Sequence, residues 1–251
     1  MLGIENSFIP VKGVGEKTER KLWQAGVTTW DEFDGAVTGP TTADRIEEYI
    51  TIAREHLDDR NSQFFGETFP SESYWRLYED FSEETCFLDV ETTGLNEWND
   101  DVTVVGLYQG GEMTTLIRGQ NLSHNRLSKE LQQAKLLVTF NGEEFDLPFL
   151  NQAFGLDVDV PHLDLMRVCR RLGYSGGLSF IERQVGIDRE RTDLSGEDAV
   201  RLWREYERGS GASLDTLVDY NREDVVNLEA LTDVVATQLH EEIFSSVQQT
   251  R

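Results

Sequence analysis

The sequence has few cysteines and no long apolar run, and both absences narrow the possible classes of protein. Its two cysteines, Cys86 and Cys169, form no Cys-x-x-Cys pair. This predicts free thiols in a reducing compartment, with neither a disulfide framework nor a zinc site. No apolar stretch reaches the roughly 18 residues of a membrane span, and the N-terminus lacks the basic and apolar regions of a signal peptide. We therefore expect a cytoplasmic protein with no membrane partner.

Positive charge is also scarce. The chain has 47 acidic residues against 23 basic ones, for a net charge of -24, and only five of the basic residues are lysine. An excess of acid with arginine in place of lysine is typical of cytoplasmic proteins from extreme halophiles. At about 1 M salt the Debye length is about 3 Å, so long-range repulsion is screened. The negative charge therefore does not exclude a nucleic-acid partner.

The order of predicted elements indicates an α/β protein with a small helical appendage. Residues 1–57 read as a helical unit, residues 58–83 as a linker with a lead-in helix, and residues 84–242 as the main domain. The main domain is predicted to run strand, β-hairpin, helix, strand, helix, a short strand at 158–160, and then helices. This order provides five strands for one sheet.

The stretch Phe87–Leu95 carries the first chemical signal. Asp89 and Glu91 interrupt an otherwise apolar strand. Because alternate residues of a strand point the same way, both carboxylates share one face. Buried unpaired carboxylates cost several kcal/mol each, by rough estimate, unless something neutralises them, and a hard divalent cation takes oxygen ligands of this kind. The alternative is a strand end that dips into solvent with two solvated acids.

Two further acidic motifs follow. Asp146 ends Asn141-Gly142-Glu143-Glu144-Phe145-Asp146 and is predicted in the first turn of a helix, where the helix dipole alone could account for a carboxylate. Tyr220 and Asp224 lie four residues apart on a long helix and so face the same way. Asp224 borders the apolar face of this helix, whereas Asp219 and Glu223 are expected to face water.

Together these motifs resemble those of the DEDD exonuclease superfamily: Asp-x-Glu-Thr-Thr-Gly-Leu, Asn-x-x-x-Phe-Asp and Tyr-x-x-x-Asp. The tyrosine form of the third motif is similar to the DEDDy branch. Further segments resemble YprB-like ribonuclease H-like proteins, namely Pro161–Leu165, Arg170-Arg171, Gly176–Leu178, Ile181-Glu182 and Gly186-Ile187. The resemblance covers roughly residues 84–240.

The resemblance implies a ribonuclease H-like fold, with a mixed five-stranded sheet flanked by helices. It also implies a 3′→5′ exonuclease that acts on single-stranded ends with two divalent ions, Mg²⁺ or Mn²⁺. The implied metal ligands are Asp89, Glu91, Asp146 and Asp224. Tyr220 is implied to position a water or the scissile phosphate. Four residues are implied to line the terminal-nucleotide pocket: Thr92, Gly94, Leu95 and Asn141.

The N-terminal unit carries a separate signal. The turn Gly13-Val14-Gly15 precedes a predicted helix at 18–25, and a second helix is expected to start within 27–33. This pattern resembles part of a helix-hairpin-helix element, whose turn holds a DNA phosphate through backbone N–H groups. Gly13 and Gly15 are then candidate substrate contacts. The alternative is that the hairpin serves only as packing.

Two alternatives to the exonuclease remain open at this stage. A non-catalytic nucleic-acid-binding or repair-adaptor protein could keep the same fold, although the expected sign of that class is loss of an acid, and all four acids are present. A structure-specific endonuclease is the other alternative, against which the Tyr-x-x-x-Asp motif argues.

Overall fold

The computed structural model describes residues 2–245. Within that range the strands are β1 (Thr85–Thr92), β2 (Val102–Gln109), β3 (Glu112–Ile117), β4 (Leu136–Thr139) and β5 (His162–Asp164). The α-helices are α1 (Glu16–Gln24), α2 (Pro40–Asp58), α3 (Ser62–Thr68), α4 (Leu77–Phe81), α5 (His124–Leu131), α6 (Asp146–Phe154), α7 (Leu165–Arg171), α8 (Leu178–Val185), α9 (Gly196–Glu207) and α10 (Gly211–His240). No helix between residues 2 and 245 combines the length and apolar character needed to cross a membrane.

The described chain divides into two compact units. The first contains residues 2–82 and 235–245, and the second contains residues 83–234. In this division residues 58–82 belong to the first unit, and α10 contributes residues to both units.

The second unit is built on one mixed sheet with strand order β3-β2-β1-β4-β5. β1 pairs antiparallel with β2 and parallel with β4, and β4 pairs parallel with β5. Antiparallel neighbours can be joined by tight turns, whereas parallel neighbours need crossover connections, which α5 and α6 supply. The predicted mixed five-stranded sheet flanked by helices is confirmed.

The two faces of β1 have different chemistry. Cys86, Leu88 and Val90 point into an apolar core that α5 and α6 complete. The alternate positions, Asp89 and Glu91, therefore point to the opposite face. On that face, a second apolar cluster joins the sheet to α9 and α10 through Val104, Ala199, Leu202, Trp203 and Leu217. The two carboxylates thus belong to an interior face rather than to a solvated strand end.

The prediction of a short strand at 158–160 is wrong in position, because the fifth strand of the structure is His162–Asp164. The reason is its register against β4, where Leu137 pairs with His162 and Val138 with Leu163. The Leu137 amide also donates to the Pro161 carbonyl at 2.9 Å. Pairing with a neighbouring strand, rather than local β propensity, therefore sets the start of the strand.

Two details of the first unit also differ from the expectations. Residues 58–83, expected as a linker with a lead-in helix, also contain α3, and the Phe65 side chain on that helix is fully buried. The second helix of the hairpin is only a 3₁₀ turn at Trp30–Glu32. The Glu32 carboxylate accepts hydrogen bonds from the Thr28 and Thr29 amides, at 2.7 and 3.0 Å. These bonds close the turn locally.

A buried ion pair lies within the first unit. Glu19 of α1 and Arg76 have side chains only 1% and 2% exposed, and two guanidinium–carboxylate contacts of 2.9 Å join them. The Glu19 carboxylate also accepts hydrogen bonds from the Ser7 hydroxyl at 3.0 Å and the Phe8 amide at 2.8 Å. The carboxylate is thus nearly saturated, which is the condition under which such a pair is tolerated in the interior.

Replacing Glu19 with Gln should lower the free energy of unfolding by about 3–5 kcal/mol, because it leaves the Arg76 charge buried without its partner. Urea unfolding at constant salt measures the loss. Glu16→Gln is the matched control on the same helix, since Glu16 is exposed and contacts Arg20 at 3.9 Å. Equal losses of unfolding free energy in the two variants would show that the buried ion pair contributes no more to stability than an exposed acid.

Candidate active site

Three carboxylates from two distant segments meet beside β1. Asp89 and Glu91 come from the strand and Asp224 comes from α10, and one ligand oxygen of each lies within 4.8 Å of the others. Glu91 and Asp224 are buried and Asp89 is half-buried. The fold thus brings acids of the first and third motifs together.

A glycine in β2 lets α10 come this close to the sheet. Gly106 is the register partner of Asp89, and a Cβ built on it would lie 2.7 Å from the Val225 side chain and collide with the Asn221 amide. Asn221, fully buried, uses this space to donate to the Asp89 carboxylate at 2.8 Å and to the Asp89 carbonyl at 3.3 Å. Asn221 therefore orients Asp89.

Asp146 of the second motif follows a loop that is held in place by hydrogen bonds to a residue of β5. The Asp164 carboxylate accepts hydrogen bonds from the backbone amides of Asn141, at 2.8 Å, and Glu143, at 3.2 Å. Asn141 adopts the left-handed conformation, with φ of 65°, which asparagine tolerates better than most residues. The loop then delivers Asp146, 2% exposed, to the first turn of α6. Its Oδ1 has no hydrogen-bond partner among residues 2–245.

Burial shifts the acid–base behaviour of all four carboxyl groups. Burial and the neighbouring carboxylates raise the pKa of Asp89, and the same two causes raise the pKa of Glu91 to about 8. Burial raises the pKa of Asp146 to about 7 and that of Asp224 to about 6, although the Arg189 charge and hydrogen bond act in the opposite direction on Asp224. The site therefore retains protons near neutral pH unless another positive charge replaces them.

A divalent ion fits this arrangement on chemical grounds. Hard cations such as Mg²⁺ take carboxylate oxygens as ligands, and the Asp89, Glu91 and Asp224 oxygens are within reach of one ion. Asp146 lies outside that group of three, yet it lines the same cavity with an unpartnered oxygen. The donor set thus suits the metal that the sequence predicts.

The same acids line a cavity of about 210 Å³. All four residues predicted to line a nucleotide pocket also line it: Thr92, Gly94, Leu95 and Asn141. Tyr220, Phe145, Gly196 and Val200 complete part of the wall. Leu95 is 87% exposed at the rim, so an apolar side chain is presented to solvent beside an acidic cavity. Burial and the charge of Asp224 raise the pKa of Tyr220, so its hydroxyl stays protonated.

Gly13 and Gly15 are not among the residues that line this cavity. They belong to the first unit, where Gly15 caps the N-terminus of α1 and Gly13 has a φ of 94°. The left-handed conformation at Gly13 explains the glycine there. It is compatible with either interpretation of the hairpin.

Sequence reasoning missed the residues that hold the acids in place. Asn221 lies three residues before Asp224 on the inner face of α10. Its helical spacing from Asp224 is the sequence signal that could have identified it. Glu223 was expected to face water, and this is wrong: it accepts a hydrogen bond from the Arg191 amide at 3.1 Å, and its side chain is 14% exposed. The loop between α8 and α9 packs against it, which the helical spacing alone did not reveal.

The comparison with protein-family models supports the fold assignment. The sequence profile of the RNase H superfamily matches residues 86–236, more than half of the 251-residue chain. No curated protein matches the sequence. The solved structure of Brucella melitensis NrnC bound to pGG is similar, with 23% identity, a TM-score of 0.49, and coverage of 69% of this chain and 82% of that one.

Two further solved structures resemble the chain. Brucella melitensis NrnC with bound Mg²⁺ is 22% identical with a TM-score of 0.48, over 68% of this chain and 83% of NrnC. The family B DNA polymerase from the hyperthermophilic archaeon Pyrobaculum calidifontis is 15% identical with a TM-score of 0.49, over 62% of this chain and 24% of the polymerase.

Mn²⁺ should stabilise the protein more at about pH 8.5 than at about pH 6. A carboxyl group whose pKa is higher in the folded than in the unfolded protein stabilises the fold most fully below its unfolded-state pKa, near 4. This stabilisation is lost as the pH rises through the folded-state pKa, which reaches about 8 for Glu91. Bound Mn²⁺ replaces the lost protons, so its contribution grows over that window. Thermal unfolding with Mn²⁺ or with chelator, at both pH values, measures the difference.

The matched controls for this experiment are Asp224→Asn, which removes one ligand, and Glu144→Gln, which removes an exposed acid from the loop before α6. Only Asp224→Asn should reduce the stabilisation of the protein by Mn²⁺. A melting-temperature shift that is independent of pH, or that Asp224→Asn leaves intact, would contradict the assignment of these acids as ligands.

Proposed function

Because the chain belongs to the RNase H superfamily, we propose that it is a metal-dependent nuclease that removes nucleotides from the 3′ ends of single-stranded nucleic acid. The observation that carries the proposal is the convergence of Asp89, Glu91 and Asp224 within 4.8 Å. A set of buried acids lowers the stability of the folded protein. Features that lower stability in this way are typically found at functional sites.

In this proposal Asp89, Glu91, Asp146 and Asp224 hold two divalent ions, Mg²⁺ or Mn²⁺. When bound, such ions stabilise negative charge on a phosphate and lower the pKa of a coordinated water. The protein holds the ligand oxygens in place before substrate arrives. Asn221 does so by fixing the Asp89 carboxylate at 2.8 Å. Asp164 fixes the loop that delivers Asp146.

Tyr220 serves as a hydrogen-bond donor in the cavity. Its raised pKa keeps the hydroxyl protonated, so it can donate to a water or to a phosphate oxygen but cannot act as a base at neutral pH. Thr92, Gly94, Leu95 and Asn141 hold the terminal nucleotide. The exposed side chain of Leu95 supplies an apolar surface against which a base can pack.

The test is a cleavage assay at about molar salt, since the acidic surface needs screening, with 5′-labelled DNA and RNA strands and either Mg²⁺ or Mn²⁺. We expect a ladder of products shortened one nucleotide at a time from the 3′ end. Asp224→Asn should abolish nearly all activity. Tyr220→Phe should slow it by about 10²–10³-fold without changing Mn²⁺ affinity, because one positioned hydrogen bond is lost.

Tyr206→Phe is the matched control, because Tyr206 lies on α9 and its hydroxyl accepts a hydrogen bond from Gln120 at 3.2 Å. It should leave the rate unchanged. Tight binding without any cleavage would support a non-catalytic binding protein instead, and a single internal cut would support a structure-specific endonuclease. Full activity in Tyr220→Phe would remove the tyrosine from the proposed mechanism.

The turn at Gly13 and Gly15 contacts the backbone of longer substrates in the same proposal. The exposed Lys12 and Lys17 flank this turn. Replacing both with Glu should weaken the binding of long oligonucleotides, while the cleavage rate of very short ones stays the same, because no candidate ligand lies in this unit. Unchanged affinity for every length would favour the packing interpretation of the hairpin.

A further inference from the structure

Arg189 is a buried cation next to the acidic cluster. It lies in the loop between α8 and α9, and its side chain is 2% exposed. One guanidinium nitrogen, Nη1, donates to the Glu182 carboxylate at 2.7 Å. The other, Nη2, donates to Oδ1 of Asp224 and lies 3.6 Å from the Glu223 carboxylate. A single side chain therefore connects α8 to the metal-ligand face of α10.

The loop that carries Arg189 is itself fixed on both sides. The Ile187 amide donates to the Glu182 carbonyl at 2.9 Å, which turns the chain back at the end of α8. Just beyond Arg189, the amides of Glu190 and Arg191 donate to the Glu223 carboxylate. The guanidinium is thus held in one position relative to Asp224.

Charge neutralisation alone does not account for this arrangement. Arg189 meets three carboxylates, those of Glu182, Glu223 and Asp224. If all three are ionised, one guanidinium leaves two negative charges uncompensated, in addition to those of Asp89 and Glu91. In that ionisation state the group still attracts a divalent cation after Arg189 has made its contacts.

We propose that Arg189 is a positioning residue for the third motif. It holds Asp224 through Oδ1 so that the second carboxylate oxygen faces the ion, and it lies 5.7 Å from the centre of the Tyr220 ring. Glu182, which is fully buried in α8, anchors the other arm. The proposal rests on the metal-dependent function of the site, and it adds the element that fixes the geometry of Asp224 and Tyr220.

An arginine is required because the two arms reach different partners. A guanidinium presents its N–H groups in a planar fork, whereas a lysine ammonium is a point charge on a flexible stem. Arg189→Lys therefore keeps the charge but loses the simultaneous contact with Glu182 and Asp224. It separates orientation from electrostatics, which Arg189→Ala would not do.

The test measures Mn²⁺ affinity of the full-length protein by electron paramagnetic resonance of free Mn²⁺. Arg189→Lys should weaken Mn²⁺ binding by about 10–100-fold, the usual effect of removing a partner that orients a ligand. With oligonucleotide substrate it should lower kcat with little change in KM. Arg76→Lys is the matched control: it breaks a similarly buried arginine–glutamate pair in the first unit and should destabilise the protein without changing Mn²⁺ affinity.

Glu182→Gln is the second variant, for the case that Arg189→Lys does not fold. It leaves Arg189 in place but weakens its anchor, so it should weaken Mn²⁺ binding in the same direction and by a smaller factor. Unchanged or tighter Mn²⁺ binding in either folded variant would overturn the proposal, because Arg189 would then be a structural ion pair or a competitor of the ion.

The outcomes also separate this proposal from the proposed function. Wild type that binds Mn²⁺ but cleaves no nucleic acid would refute the nuclease, while the effect of Arg189→Lys on affinity would still decide the positioning role. Wild type that binds no Mn²⁺ would overturn the positioning proposal directly, since there would be no ion for Asp224 to meet.

Discussion

The second unit is organised around the repulsion between carboxylates that the fold holds together in a buried place. Asp89, Glu91 and Asp224 come within 4.8 Å of one another, and burial raises the pKa of each. Such a group is stable only if protons, a fixed cation or a metal ion compensate it. The structure provides hydrogen bonds and one buried arginine, and it leaves capacity for divalent ions.

The remaining architecture supplies the rigidity that this repulsion demands. Gly106 lets α10 approach the sheet closely enough for Asn221 to reach Asp89. Asp164 at the end of β5 fixes the loop before Asp146 through two backbone amides. Asp89, Asp224 and the loop before Asp146 are therefore each held by a partner from a different element, which is the arrangement expected where a site must be preorganised before its ligands bind.

Sequence reasoning succeeded where a signal is local and periodic. The alternation of β1 placed Asp89 and Glu91 on one face, and the structure shows that face turned toward α9 and α10. It failed where pairing or packing decides. The fifth strand starts at His162 because β4 selects that register, and α3 forms in a polar stretch because Phe65 has a core to enter.

The sequence by itself determined the element order of the second unit, the common face of the first two acids, the helical position of Asp146, and the common face of Tyr220 and Asp224. These follow from strand and helix periods, which act over a few residues. Only the tertiary structure decided which side chains hold the acids. Arg189 meets Asp224 across 35 residues and Asn221 meets Asp89 across 132, and contacts at such separations depend on how the elements pack.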